Sequence, residues 1–281
     1  MVDDRSAGYH MAYHRTVWLV ILLMIALGGR QPRSISQDLV GSTPEALSEQ
    51  LKDDTPVDYV VIDLGDGEEK RWLTSRLYIT ALLLQKMRDL QALVFVEADQ
   101  DTRQRFVGWA GPSKVRWALA QHFRELEEAF SRAYYEVMSS HKVEIANKVG
   151  KLTAVGQPRN VLPAVEIVSS FFEQIQHHKS QHVSIPAGTS KDEWVRIGVS
   201  SFERARWLDA SSLETFLGEE LTTSYVRDDA LYTKSSSDQT RLVLSQTGRY
   251  VALTQEDKRF EKLIDRREVL EEVARNVLQE V

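Results

Sequence analysis

The residues best suited to chemistry are two aspartates, Asp63 and Asp66, in the run IDLGDG. Short carboxylates where an apolar, β-branched run meets a turn can converge on one hard cation, a common role for acids at strand ends in α/β proteins. Glu68 and Glu69 add negative charge beside them. No second acidic motif and no glycine-rich phosphate loop accompanies the pair, so the plain reading is a solvated Asp-Gly turn. The chemical reading, a hydrolase dependent on Mg²⁺ held by Asp63 and Asp66, stands as the alternative. His177, His178 and His182 form the one histidine cluster. His178 and His182 have the spacing to share a metal on a helix, but Lys179 lies between them and the helix is expected to end there, which leaves surface histidines. There is no G-x-S-x-G motif, and the absence of cysteine removes thiolate nucleophiles, thiolate zinc sites and disulfides together. Trp72, Trp117, Trp194 and Trp207, with Arg71, Arg116 and Arg206, could stack bases or nucleotides. Core tryptophans flanked by arginine stems explain them equally well.

The elements that would position these residues follow from periodicity. Val57 to Leu64 is nearly continuous and β-branched, as in a strand buried on both faces. Thr74 or Ser75 is expected to cap a largely apolar helix over 76–90. Leu93 to Val96 begins a second strand, and strand, helix, strand predicts a parallel crossover. A polar tip and Phe106 to Trp109 complete a hairpin, and Pro112 opens a helix. Val115, Leu119, Phe123, Leu126, Phe130, Tyr134 and Val137 recur at steps of three and four, predicting one long amphipathic helix through about Met138. Further on, Pro163 opens another helix, Trp194 to Val199 reads as a short strand, and Ser211 to Leu221 as a helix. Thr222 to Gln239, rich in Ser, Thr and Asp, reads as an exposed loop. A hairpin turning at QTGR leads to a last helix, with Asp265 and Glu268 at capping-box spacing.

Composition bounds the possibilities. With 281 residues, 42% hydrophobic and 27% charged, the chain is ordinary globular material. A net charge of -6 argues against a broad nucleic-acid footprint. Val17 to Gly29 is apolar and uncharged over about 13 residues, against the ~20 needed to span a bilayer as a helix. It is expected to be buried or to face a partner, with a membrane anchor or a signal peptide read from Met11 as the alternatives.

Two segments can be laid over one another. Arg71-Trp72-Leu73 and Arg206-Trp207-Leu208 each lead into a helix, a hairpin and a second helix. Downstream, FVGWAGPSKVRWALA from Phe106 aligns without gaps to FEKLIDRREVLEEVA from Phe260. Residue type and order are preserved together, which points to duplication.

Each unit resembles a CBS domain, a small module that works in tandem pairs. Phe106-Val107-Gly108 is similar to that family's strand motif, and Leu263-Ile264-Asp265-Arg266-Arg267-Glu268-Val269-Leu270 to its strand-to-helix junction. The resemblance covers about half of the chain. It implies regulatory binding of an adenine nucleotide between the repeats, a hydroxyl and an acid at the junction holding ribose. The candidate ligand-binding residues are then Gly111 and Ser113 in the first unit and Asp265 and Glu268 in the second. The first junction has Lys114 where the acid would stand, and the second lacks the hydroxyl.

The expected fold is α+β: two related strand-helix-hairpin-helix units, mixed sheets with packed helices, joined by the long amphipathic helix. The expected divisions are an N-terminal segment over 1–55, a first unit over 56–150, a linker and helix over 151–192 and a second unit over 193–281. The expected function is non-enzymatic: a cytoplasmic regulatory or adaptor protein that binds a protein partner or small ligand between its repeats, with homo-oligomerisation and membrane association through Val17 to Gly29 as further expectations.

Overall fold

The computed structural model describes residues 33–35, 58–65, 72–85, 90–98, 104–149, 164–177 and 207–279. Its first sheet has the order β1-β2-β4-β5, with β1 (Arg33–Ile35), β2 (Tyr59–Asp63), β4 (Ala92–Ala98) and β5 (Gln104–Ala110). The pairs β1/β2 and β2/β4 are parallel, while β4/β5 is an antiparallel hairpin with a bulge between Phe95 and Val96. Helix α1 (Thr74–Leu84) makes the crossover from β2 to β4, and α2 (Pro112–His122) follows β5. A second mixed sheet has the order β7-β8-β9, from β7 (Tyr225–Arg227), β8 (Tyr250–Thr254) and β9 (Phe260–Asp265). Again the first pair is parallel and the second antiparallel, with a bulge between Leu253 and Thr254. Here α6 (Asp228–Tyr232) and α7 (Ser236–Leu244) form the crossover, and α8 (Arg266–Gln279) follows the hairpin. The chain is therefore α+β with two small mixed sheets.

Side-chain alternation along the strands sets the layers. From the first sheet, Val60, Ile62, Leu93 and Phe95 enter a core with α1, α2, α3 (Arg124–Val149), α4 (Ala164–His177) and α5 (Ala210–Leu217). The opposite face, with Tyr59, Val61, Val94, Val96 and Trp109, meets Tyr250 and Ala252 of the second sheet. The outer face of that sheet, Val251 and Leu253, packs with Leu231 and Val243 from α6 and α7. Two sheets thus lie face to face with helices outside both.

Several expectations are corrected. The long helix from Pro112 is two helices, broken at Phe123, which has φ -130 and ψ 82. Phe123 packs edge-on against Phe216 of α5, with ring centroids 5.2 Å apart. Thr222 to Gln239 is no loop, because it contains β7, α6 and the start of α7. Thr74 and Ser75 do not cap α1: both lie in its first turn, fully buried, and the N-cap Leu73 has no side-chain cap. The two RWL motifs are not equivalent strand exits but pair with each other, Trp72–Leu73 (β3) antiparallel to Trp207–Leu208 (β6). The strand parallel to β8 comes after the second RWL, at β7. Trp194 to Val199 and the Val17 to Gly29 segment lie outside the described residues. Among the described residues, no helix is long and apolar enough to cross a membrane.

Candidate functional site

Matching the two hairpins at their bulges places Leu93 on Val251, Phe106 on Phe260, Gly111 on Asp265 and Gln91 on Arg249. The parallel pairs then place Ile62 on Val226. Counterparts under this match touch one another. Arg105 and Arg259 form an antiparallel bridge. Phe106 and Phe260 stack, with centroids 6.0 Å apart and planes 20° from parallel. Arg249 donates from a terminal guanidinium nitrogen to Gln91 Oε1 at 3.0 Å. Residues that meet their own equivalents are the mark of a twofold relationship, here within one chain.

The seam between the sheets is filled rather than open. Trp109 meets Tyr250 edge to face at 5.3 Å, and Tyr59 meets Phe260 in the same way at 6.1 Å. Trp109 also exchanges backbone hydrogen bonds with Thr222, 3.0 and 2.9 Å long. Gly248, with φ +83, lets the turn before β8 approach the indole, since a Cβ there would sit 3.1 Å from Trp109 Cζ2. The seam ends at the two strand-to-helix junctions, after Ala110 and at Asp265.

At that end the two strand-to-helix junctions are linked. Asp265 Oδ2 accepts from Arg249 Nε at 3.0 Å and from Nη2 at 2.9 Å, while its Oδ1 accepts the Arg267 backbone N–H at 2.8 Å, fixing the start of α8. The third arm of Arg249 reaches Gln91, whose backbone carbonyl lies beside Gly111. The Arg249 guanidinium also lies 4.9 Å from the Tyr250 ring. Burial pushes the Tyr250 hydroxyl up to about 12, with Arg249 opposing and Asp265 adding to the shift.

Of the four candidate ligand residues, Gly111 is the N-cap of α2 with ordinary extended backbone, φ -68 and ψ 146. Nothing in that conformation demands glycine, and an added Cβ would find only ordinary contacts at 3.8 Å. Ser113 is half-buried in the first turn, beside Lys114, which pairs with Glu220 at 2.7 Å. Asp265 is engaged as described, and Glu268 is exposed on the first turn of α8. Gln91 and Arg249 were missed because neither belongs to a motif. Extending the repeat to the residue before each central strand would have found them.

The other constellations lie largely outside the described residues. Asp63 Oδ1 accepts the Gly65 N–H at 2.9 Å, closing an Asx turn at the end of β2. Asp66, His178, His182, Trp194, Arg71 and Arg206 lie outside the described residues, as do the side chains of His177 and Trp207. Among the described residues, no group of three or more His, Asp or Glu side chains is placed to hold a metal ion. Trp72 is buried in the core, whereas Trp117 is exposed on α2 with the Arg116 guanidinium 5.2 Å from its ring. No family model, curated protein or solved structure matches the chain.

Proposed function

We propose that the protein is a non-enzymatic regulatory module whose ligand is a small anion-bearing molecule, first among them an adenine nucleotide, bound at the end of the seam between its two units. The observation that carries this reading is the Arg249 clasp, a guanidinium that holds Asp265 in its own unit and Gln91 in the other. A phosphate competing with Asp265 for Arg249 would alter both the start of α8 and the link between units. Binding there is translated into a change in how the sheets are joined, which a protein partner could read. The resemblance to tandem CBS units supplies the nucleotide, and the matched sheets with touching counterparts support the tandem arrangement.

The test is calorimetry and thermal denaturation with AMP, ADP, ATP and adenosine. A nucleotide at a hundredfold excess over its Kd should add about 2.7 kcal/mol of stability. Adenosine should bind more weakly, and Arg249→Gln should abolish the difference between them. Absence of heat and of a thermal shift at millimolar nucleotide would overturn the reading.

A further inference from the structure

The match that sets Gly111 on Asp265 also sets α8 on α2, with Val269 on Val115, Leu270 on Arg116 and Val273 on Leu119. In the first unit these positions are covered. Leu119 is 1% exposed, in a core with Leu126 of α3 and Leu213 of α5, and the Arg116 guanidinium is held by Glu127 of α3. Both covering helices come from the stretch of chain between the two sheets. In the second unit the equivalent positions face solvent. Val269 reaches the core with Val251 and Leu253, but Leu270 is 50% exposed and Val273 is 38% exposed. Residues three and four apart share one side of a helix, so Leu270, Val273 and, by its spacing, Val277 form an apolar stripe along α8.

The charges beside that stripe select an occupant. Glu271 and Arg275 are both exposed and lie four residues apart along one flank, placed evenly before and after Val273. Two copies of α8 crossing antiparallel about Val273 therefore set Glu271 of one against Arg275 of the other, and the twofold axis repeats the pair. A parallel crossing would set glutamate on glutamate and arginine on arginine. The antiparallel one also opposes the two helix dipoles. Arg275 binds Glu272 of its own helix at 2.9 Å, but this is a surface pair with the arginine side chain 62% exposed, and the guanidinium has further donors for a second chain. A stripe flanked by both signs of charge is matched by its own copy better than by a partner of one sign.

We propose that α8 is a docking surface for a second copy of this chain, the two helices crossing antiparallel with their apolar stripes in contact and Glu271 paired to Arg275 across the axis. The contact is short, so the dimer belongs with small, transient interfaces. It does not depend on the ligand reading above. Sedimentation equilibrium of the full chain should show a reversible monomer–dimer equilibrium with a Kd below about 1 mM. Val273→Glu, which puts like charges together on the axis, should weaken it by at least about tenfold. The Tm of dilute protein should not change, since Val273 faces solvent in the monomer. Glu271→Arg should weaken the dimer about fivefold through the two symmetry-related pairs. Adding Arg275→Glu to that variant should restore the parent Kd, a rescue that association through any other segment would not show. A chain that stays monomeric at about 1 mM would overturn the proposal and leave the face to a different occupant. So would a dimer indifferent to Val273→Glu, or a double charge reversal no tighter than Glu271→Arg alone.

Discussion

Arg249 and Gln91 occupy the same position in two repeated hairpins and bond to each other at 3.0 Å, 158 residues apart in the chain. The same guanidinium binds Asp265, whose side chain is 11% exposed. Removing the arginine therefore leaves a nearly buried carboxylate unpaired and also cuts the link between units. We expect Arg249→Met to cost about 2 kcal/mol, below the full value for a buried pair because the arginine is one-third exposed. Gln91→Ala should cost about 1 kcal/mol. A double-mutant cycle by urea denaturation should find coupling between the two, and additive effects would show that the link contributes nothing.

Gly108 is fixed by close approach. A Cβ on it would lie 2.7 Å from Leu221 Cδ1 and 2.8 Å from Leu221 Cγ. Leu221 is itself buried, so it has little freedom to retreat. Gly108→Ala should destabilise by about 1–3 kcal/mol through overpacking. Combined with Leu221→Ala, it should cost less than the sum of the two single changes, a non-additivity readable in denaturation midpoints.

Much of this architecture is legible in the sequence. The gapless alignment from Phe106 to Phe260 coincides with the register match, because both positions sit just past a bulge and face the same seam. The uninterrupted apolar run before Asp63 correctly indicates a strand covered on both faces. What periodicity could not show is the break at Phe123, since Leu119, Phe123 and Leu126 keep helical spacing across it. Nor could it show β7, three residues long with Val226 its one fully buried side chain, which is a strand by virtue of pairing with β8. The clasp was hidden for a different reason: Gln91 and Arg249 acquire meaning only when two distant hairpins are brought together. Asp265 was legible as a helix cap but not as the partner of Arg249.

Glu127 joins three helices. It accepts from the Tyr78 hydroxyl at 2.6 Å and from an Arg116 terminal nitrogen at 2.8 Å. Burial, with Glu127 reinforcing it, holds the Tyr78 phenol well above its ordinary range. Glu127→Ala strands both partners at once and should cost about 2–3 kcal/mol. Glu127→Gln, which keeps an acceptor for the phenol, should recover part of that loss in the same denaturation assay.

Alkaline pH should destabilise the fold through its tyrosines. Burial raises the phenols of Tyr59, Tyr78 and Tyr250 above 10.0, Tyr250 to about 12. The unfolded chain ionises first, so it binds fewer protons than the folded protein above pH 10, and stability falls as pH rises. For Tyr250 the contribution is fully present below about pH 10 and is lost through about pH 12, at up to about 1.4 kcal/mol per pH unit. Tyr250→Phe should flatten the stability curve between those limits. An unchanged slope would mean that the phenol is not held neutral by the fold.

The most direct test of the account is an amide chemical-shift titration of the isotope-labelled protein with AMP. Binding at the end of the seam predicts that the Gln91, Gly111, Arg249 and Asp265 signals move together along one saturation curve, and that Arg249→Gln abolishes the movement. Silence at those four positions at millimolar AMP, or identical shifts in the variant, would contradict it.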